Sequence, residues 1–291
     1  MLEIKNVSKS FNNKKVLDNC DLTIKDGSVF GLIGVNGAGK STLLRLISGI
    51  YQNDKGEIYF NGKNTQKDET IRKDILFLSD DPYYSKTMTL KTLKSFYEEF
   101  YDFDEELYFK YLNKFNLEAN KPLLNFSKGM RRQAFLIIAM AISPKLLILD
   151  EAFDGLDPLV RLEFKSLLIN LINDKEITVI ISSHNLRELE DICDSFGILE
   201  DGSIKNSGDI IDTKDMINKY QIAFKDNIDE NLFKHFNIIH STKNGRVYTL
   251  VIKGNKDEII NRLNSYHPLL IDVLNIDFEE LFIYELESRG L

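Results

Sequence analysis

The sequence predicts an α/β fold built on a parallel sheet, and three observations predict it. An apolar run, Val29–Ile33, enters a glycine-rich turn and then a helical apolar pattern, LLRLIS, that stops at Gly49. Two further apolar runs, residues 146–149 and 177–181, end on acidic or hydroxyl side chains. Buried parallel strands read this way, because only their tips reach ligand or solvent. Between the first run and these two, from residue 79 to residue 143, the apolar spacing turns helical.

Length and composition set the outer limits. The chain has 291 residues, enough for one large domain or two smaller ones. Hydrophobic residues make up 43% and charged residues 28%, the balance of a globular protein with a core. The formal net charge of -8 argues against whole-chain affinity for nucleic acid or anionic lipid, since phosphate binding needs a positive surface. No nucleic-acid partner is expected, although local basic patches stay possible. The longest clean apolar stretch, residues 135–142, falls far short of the roughly 20 residues a bilayer demands. The N-terminal residues alternate like a strand and lack the apolar centre of a signal peptide. Cys20 and Cys193 fit no metal spacing, and two free thiols without an export signal predict a cytosolic protein.

The glycine-rich turn carries the first chemistry. Gly34, Asn36, Gly37, Ala38, Gly39, Lys40, Ser41 and Thr42 form the pattern G-x-x-x-x-G-K-S between a strand and a helix. Glycines let backbone N–H groups turn inward around phosphate oxygens, and the helix N-terminus adds partial positive charge. Lys40 would reach the β- and γ-phosphates, and the Ser41 hydroxyl would take a place on Mg²⁺. The pattern predicts a nucleotide-binding loop.

A second run, Leu146–Asp150, places Asp150 and Glu151 at a strand tip, the edge where doubly wound sheets hold ligands. Asp150 suits Mg²⁺, and Glu151 suits polarising a water that attacks the γ-phosphate. An acidic strand end that merely caps the next helix is the plainer alternative.

The order of motifs then becomes specific. After the phosphate loop come Asn125-Phe126-Ser127-Lys128-Gly129-Met130, the carboxylate pair, Asp154-Gly155-Leu156-Asp157, and a strand ending Ser183-His184. Five ordered motifs over residues 1–215 resemble the ATP-binding cassette (ABC) ATPases. The resemblance implies a P-loop cassette with a RecA-like core, an antiparallel β subdomain and a helical subdomain at about 79–143. It implies that Phe11 stacks on adenine, although strand packing would also use an aromatic there. Ser127 and Gly129 match the signature loop that contacts the γ-phosphate of ATP held by a second cassette; a plain helix N-cap is compatible with that. His184 matches the switch histidine that senses γ-phosphate, and Asp157 the loop that communicates across the dimer, or simply a helix start before Pro158.

The chain also departs from the family pattern. Asp80 stands where the family has Gln, and a carboxylate there would hold Mg²⁺ or its water on a shorter stem. Ala152 replaces a proline, Lys128 the middle glycine of the signature, and Met130 its final Gln.

Residues 2–11 and 16–24 predict an antiparallel hairpin, joined by residues 56–62. Thr89 should cap one helix and Asp104 another, and the aromatic stripes behind them, Phe96 and Phe100 included, are expected to be core. Residues 81–85 are expected to line the groove for a membrane partner. Residues 216–291 read as a small α+β appendage with a strand over 246–253, a helix over 255–264 and a second from Phe278.

The resemblance therefore implies an ATPase subunit, binding ATP and Mg²⁺, of a transporter whose permease is a separately encoded transmembrane subunit. It implies pairing with a second cassette, as a homodimer or a paralogous heterodimer, and a place on the inner face of the cell membrane. Motif wording points to export of drugs or peptides. A soluble ABC ATPase acting on DNA or ribosomes is the alternative; a single cassette and 87 residues from Lys40 to Ser127, with no heptads, argue against it.

Overall fold

A computed structural model describes residues 1–226, 228 and 230–287. The chain divides into two compact units, Met1–Ser207 and Gly208–Leu291.

In the first unit, β1 (Leu2–Phe11) and β2 (Lys14–Ile24) pair antiparallel across the short turn at Asn12 and Asn13, both in the left-handed region that asparagine tolerates. Then come β3 (Val29–Ile33) and α1 (Lys40–Ile47), followed by β4 (Lys55–Phe60) and β5 (Lys63–Asn64). β4 pairs antiparallel with β1, which completes a four-stranded sheet in the order β2-β1-β4-β5. Next is β6 (Ile75–Leu78), which leads to the helices α2 (Leu90–Glu98), α3 (Glu105–Lys114) and α4 (Lys128–Ile142). Thr89 caps α2 through a reciprocal box with Thr92, Asp104 caps α3, and Ser127 caps α4 by accepting from the Met130 amide.

β7 (Leu146–Asp150), α5 (Pro158–Lys175), β8 (Thr178–Ser183), α6 (Leu186–Glu190), β9 (Ser195–Glu200) and β10 (Ser203–Asp209) follow. A six-stranded sheet runs β10-β9-β3-β8-β7-β6, and β9, β3, β8, β7 and β6 are mutually parallel. Every residue of β3, β7 and β8 is buried, which is why their sequences are continuous apolar runs rather than alternations.

The aromatic stripe on α2 departs from the sequence expectation of core. Leu90 and Leu93 are buried, but Phe96 and Phe100 are at least half exposed. They line a groove of about 550 Å³ with Ile50, Phe77, Tyr97 and Tyr101. Helical spacing shows which face is apolar and says nothing about what covers it. The stripe on α3 is core: Tyr108, Tyr111 and Leu112 are buried, and Phe115 stacks on Phe164 of α5 at 4.2 Å.

The second unit holds α7 (Ile210–Met216), β11 (Ile217–Ala223), β12 (Ile238–Asn244), β13 (Val247–Lys253), α8 (Lys256–Asn264), β14 (Leu270–Leu274) and α9 (Phe278–Glu287). Its antiparallel sheet runs β12-β13-β11-β14. Tyr220, Ile222, Leu250 and Ile252 pack with Ile259 and Leu263 of α8, while Ile217 and Val251 pack with Leu281 of α9. The alternation of strand side chains produces the two faces. β11, β12 and β14 had no counterpart in the sequence expectation; β12 is polar along most of its length, and β14 is a mostly apolar run of five residues, too short to tell strand from helix.

Candidate phosphate-binding and hydrolytic site

Register brings the motifs to one edge. Leu78 of β6 is level with Leu149 of β7, Asp150 with Ser182 of β8, and Ile33 of β3 with Ser183. All four strands therefore finish at nearly the same level, and just beyond their tips lie Asp80 (after Ser79), Glu151, His184 and the loop from Gly34. Parallel strands point every C-terminal tip, and so every loop, to the same side.

The loop at 34–39 is shaped by glycine. Gly39 has φ +109, and a Cβ there would come within 3.0 Å of Leu17 and 3.2 Å of the Val16 carbonyl, so only glycine fits both the conformation and the space. Gly39 is also the N-cap of α1 and offers no side-chain cap, which leaves the first amides of the helix without an internal acceptor. Unspent N–H groups at a helix N-terminus suit an anion. Lys40 is buried; its Nζ donates to the Gly34 carbonyl at 2.6 Å and lies 3.5 Å from Glu151 Oε1. An ammonium held this way is already stripped of most of its water, so exchanging these partners for phosphate oxygens needs little further dehydration.

The carboxylates are held by a residue the sequence reading passed over. Ser182, fully buried, donates from Oγ to Asp150 Oδ1 at 2.6 Å and accepts from the Glu151 amide at 3.1 Å. The Glu151 amide also meets the Ser182 carbonyl at 3.2 Å. These bonds hold Glu151 at φ +48, a left-handed conformation that costs a non-glycine residue energy and clusters at functional sites. The Glu151 carboxylate is thereby turned between Lys40 and His184, whose Nδ1 is 2.9 Å from Oε2. Ser182 was legible only as a small residue ending a strand; its level with Asp150 is a matter of register.

Asp150 spends one oxygen on Ser182, and Ser41 opens α1 beside the loop, an oxygen-only pair that suits a hard divalent cation retaining most of its waters. Among the described residues no cluster of three or more His, Cys, Asp or Glu could hold a metal. The residues therefore fit a magnesium ion brought with phosphates and do not fit a metal caged by protein alone. Phe11, at the end of β1, is 39% exposed and meets Tyr51 edge-on at 5.5 Å.

The segment at 127–130 adjoins the loop at 154–157. Lys128 pairs with Asp154 at 2.9 Å, holding the Asp154 carboxyl below its usual range by that hydrogen bond, and a Cβ on Gly129 would come within 3.0 Å of the Gly155 carbonyl. Asp157 precedes Pro158 at the start of α5 and makes no side-chain cap. Arg161 donates to the Leu156 carbonyl and pairs with Glu188, which accepts from Ser183 beside His184. That chain ties the 154–157 loop to the histidine. Asp80 is not drawn into the Lys40–Glu151–His184 cluster; it pairs with Arg132 of α4 at 2.7 Å. Asp80, Asp81, Pro82 and Tyr84 line a cavity of about 380 Å³ with Lys128, Arg131 and Arg132, separate from the aromatic groove on α2.

A parallel sheet with a glycine phosphate loop on one strand and paired carboxylates two strands away defines a P-loop nucleotide triphosphatase. Comparison with known proteins narrows the class. Residues 17–154 match the family model described as ABC transporter. The ABC transporter ATP-binding protein YtrB of Bacillus subtilis is 32% identical over 292 residues, 99% of each chain. The lantibiotic transport ATP-binding protein SrtF of Streptococcus pyogenes is 34% identical, over 70% of this chain and 89% of that one. The methionine import ATP-binding protein MetN of Clostridium acetobutylicum is 33% identical, over 72% and 69%. A solved ATP-binding subunit of an ABC transporter superposes with TM-score 0.67 at 30% identity, covering 74% of this chain and 92% of that one. The chain belongs to the ABC transporter ATP-binding proteins: it is an ATPase and the nucleotide-binding subunit of a transporter. Subunits of this kind dimerise and pair with membrane permeases. No helix among the described residues is long and apolar enough to cross a membrane.

Proposed function

We propose that this chain powers an exporter of drugs or peptides, working at the cytoplasmic face of the membrane through a separately encoded permease. The cluster of Lys40, Glu151 and His184 over the Asp150–Ser182 pair carries the hydrolytic part of the reading. Lys40 and the amides opening α1 bind the β- and γ-phosphates, and Phe11 offers its exposed ring to adenine. Ser41 and Asp150 hold Mg²⁺, which when bound neutralises charge on the phosphate oxygens. Glu151 accepts a proton from the attacking water, and His184, hydrogen-bonded to it through Nδ1, fixes the carboxylate and stands where it senses the γ-phosphate. Ser127 and Gly129, at the start of α4, meet the γ-phosphate held by a second cassette. ATP then favours the closed dimer, and hydrolysis releases it, which drives the permease between two states.

The direction of transport rests on the wording of residues 100–107, 127–130 and 278–282 and on similarity to a protein named for lantibiotic transport; a relative named for methionine import is almost as similar. The exposed aromatic groove of Ile50, Phe77, Phe96 and Phe100 suits a short amphipathic helix of the permease. The test is to tag the Glu151→Gln chain in its native cell, solubilise membranes with ATP and identify what co-purifies. A stoichiometric multi-span protein that, reconstituted, moves an amphipathic drug or peptide outward supports export. Inward movement refutes it, and recovery of ribosomes or DNA-bound proteins favours the soluble alternative.

A further inference from the structure

Arg132 lies in the second turn of α4, close behind Ser127 and Gly129, with a side chain only 2% exposed. A guanidinium keeps its charge even when buried, so it must find acceptors within the protein. Both of those shown here belong to one short segment: Nη1 donates to the Ser79 carbonyl at 3.0 Å and Nη2 to Asp80 Oδ1 at 2.7 Å. Ser79 and Asp80 are the first two residues after β6, the rim strand of the parallel sheet. The contact therefore joins the end of that sheet to the helix whose first turn presents Ser127 and Gly129.

One consideration separates this contact from metal ligation by Asp80. Drawing the Asp80 carboxylate to a cation would leave Arg132 buried with one carbonyl for company, and stranding a buried charge is strongly unfavourable.

We propose that Asp80 and Arg132 form a latch that sets the tilt of α4, and with it the position of Ser127 and Gly129, and that Asp80 acts through Arg132 rather than as a ligand of Mg²⁺. Both are positioning residues. The latch makes the rim strand and the signature helix move as one body, so a displacement at the 80–84 loop is carried to the phosphate contacts across the dimer. The proposal rests on the reading of Ser127 and Gly129 as those contacts.

The test uses the full chain with Asp80→Ala, Arg132→Gln, the double variant and Arg132→Lys. ATP-driven dimerisation is followed by sedimentation in the Glu151→Gln background. Mg²⁺ dependence of hydrolysis and nucleotide affinity of the single chain are measured in the parent. Asp80→Ala should weaken dimerisation about tenfold or more, as expected for coupled contact residues, with nucleotide affinity and half-activating Mg²⁺ unchanged. Adding Arg132→Gln should restore part of the loss, because the stranded charge is gone, and Arg132→Lys alone should lose less than Arg132→Gln. A raised Mg²⁺ requirement in Asp80→Ala, or losses that simply add in the double variant, overturns the latch. If Arg132→Gln does not fold, Asp80→Ala alone decides, by whether dimerisation or Mg²⁺ dependence moves. Ser127→Ala is the control: full dimerisation in that variant removes the signature reading itself, independently of the latch.

Discussion

Ser182→Ala probes the site through a residue that touches no substrate. Its hydroxyl is fully buried and makes two bonds, a charge-assisted one to Asp150 at 2.6 Å and one from the Glu151 amide at 3.1 Å. Losing a hydrogen bond to a charged group costs about 1.5–3 kcal/mol. The Glu151 amide keeps the Ser182 carbonyl at 3.2 Å, so the second bond adds little. A cassette of this size loses about 2–4 °C in Tm per kcal/mol, so the cassette transition should fall by roughly 3–12 °C. Hydrolysis should suffer more than binding. With the amide bond loosened, the positive φ of Glu151 is no longer fully enforced, and a carboxylate displaced by about 1 Å costs up to about 100-fold in rate. ATP affinity, which the proposed phosphate loop at 34–42 governs, should stay nearly constant. Differential scanning calorimetry and steady-state phosphate release measure the two effects. A Tm within about 1 °C of the parent together with a kcat within about twofold would refute the reasoning that register with Ser182 organises the carboxylates.

Other expectations concern the same cassette. Lys40→Ala should abolish tight nucleotide binding, because the buried ammonium is the one full charge at the loop; unchanged ATP affinity by calorimetric titration would sink that assignment. Glu151→Gln should bind ATP, fail to turn it over and accumulate an ATP-bound dimer, and normal phosphate release would remove Glu151 as the base. Asp154 has its folded pKa depressed by Lys128, so its stabilising contribution is complete above the unfolded carboxylate pKa and is lost as pH falls through the folded value. The stability gap between the parent and Asp154→Asn should therefore be largest near neutrality and close on acidification; a gap constant from pH 7 to about pH 3 contradicts the linkage. Cys20, pushed up to about 11 by burial, and Cys193, pushed higher by burial, should both resist a thiol reagent at pH 8 and react on unfolding. Fast labelling of the native chain would show that either is accessible.

Much of the site is legible in the chain because its determinants are local. A glycine that must take φ +109, a lysine after it and a buried strand ending in two carboxylates each follow from neighbours a few residues apart. The same holds for the helix starts at Thr89, Asp104 and Ser127, where one side chain satisfies amides two or three residues on. Contacts between distant segments carry no such mark. Ser182 meets Asp150, Arg132 meets Asp80 and Lys128 meets Asp154 only because parallel strands and helix packing set them side by side. Phe96 and Phe100 show the limit from the other direction. Their spacing declares an apolar face, and only the packed molecule decides that this face is left open as a groove. The sequence by itself determined the phosphate loop, the carboxylate tip and the order of motifs, since backbone conformation and strand burial are short-range properties. Tertiary structure alone decided which charges pair and which aromatics stay exposed, since both depend on distances the chain closes only when it folds.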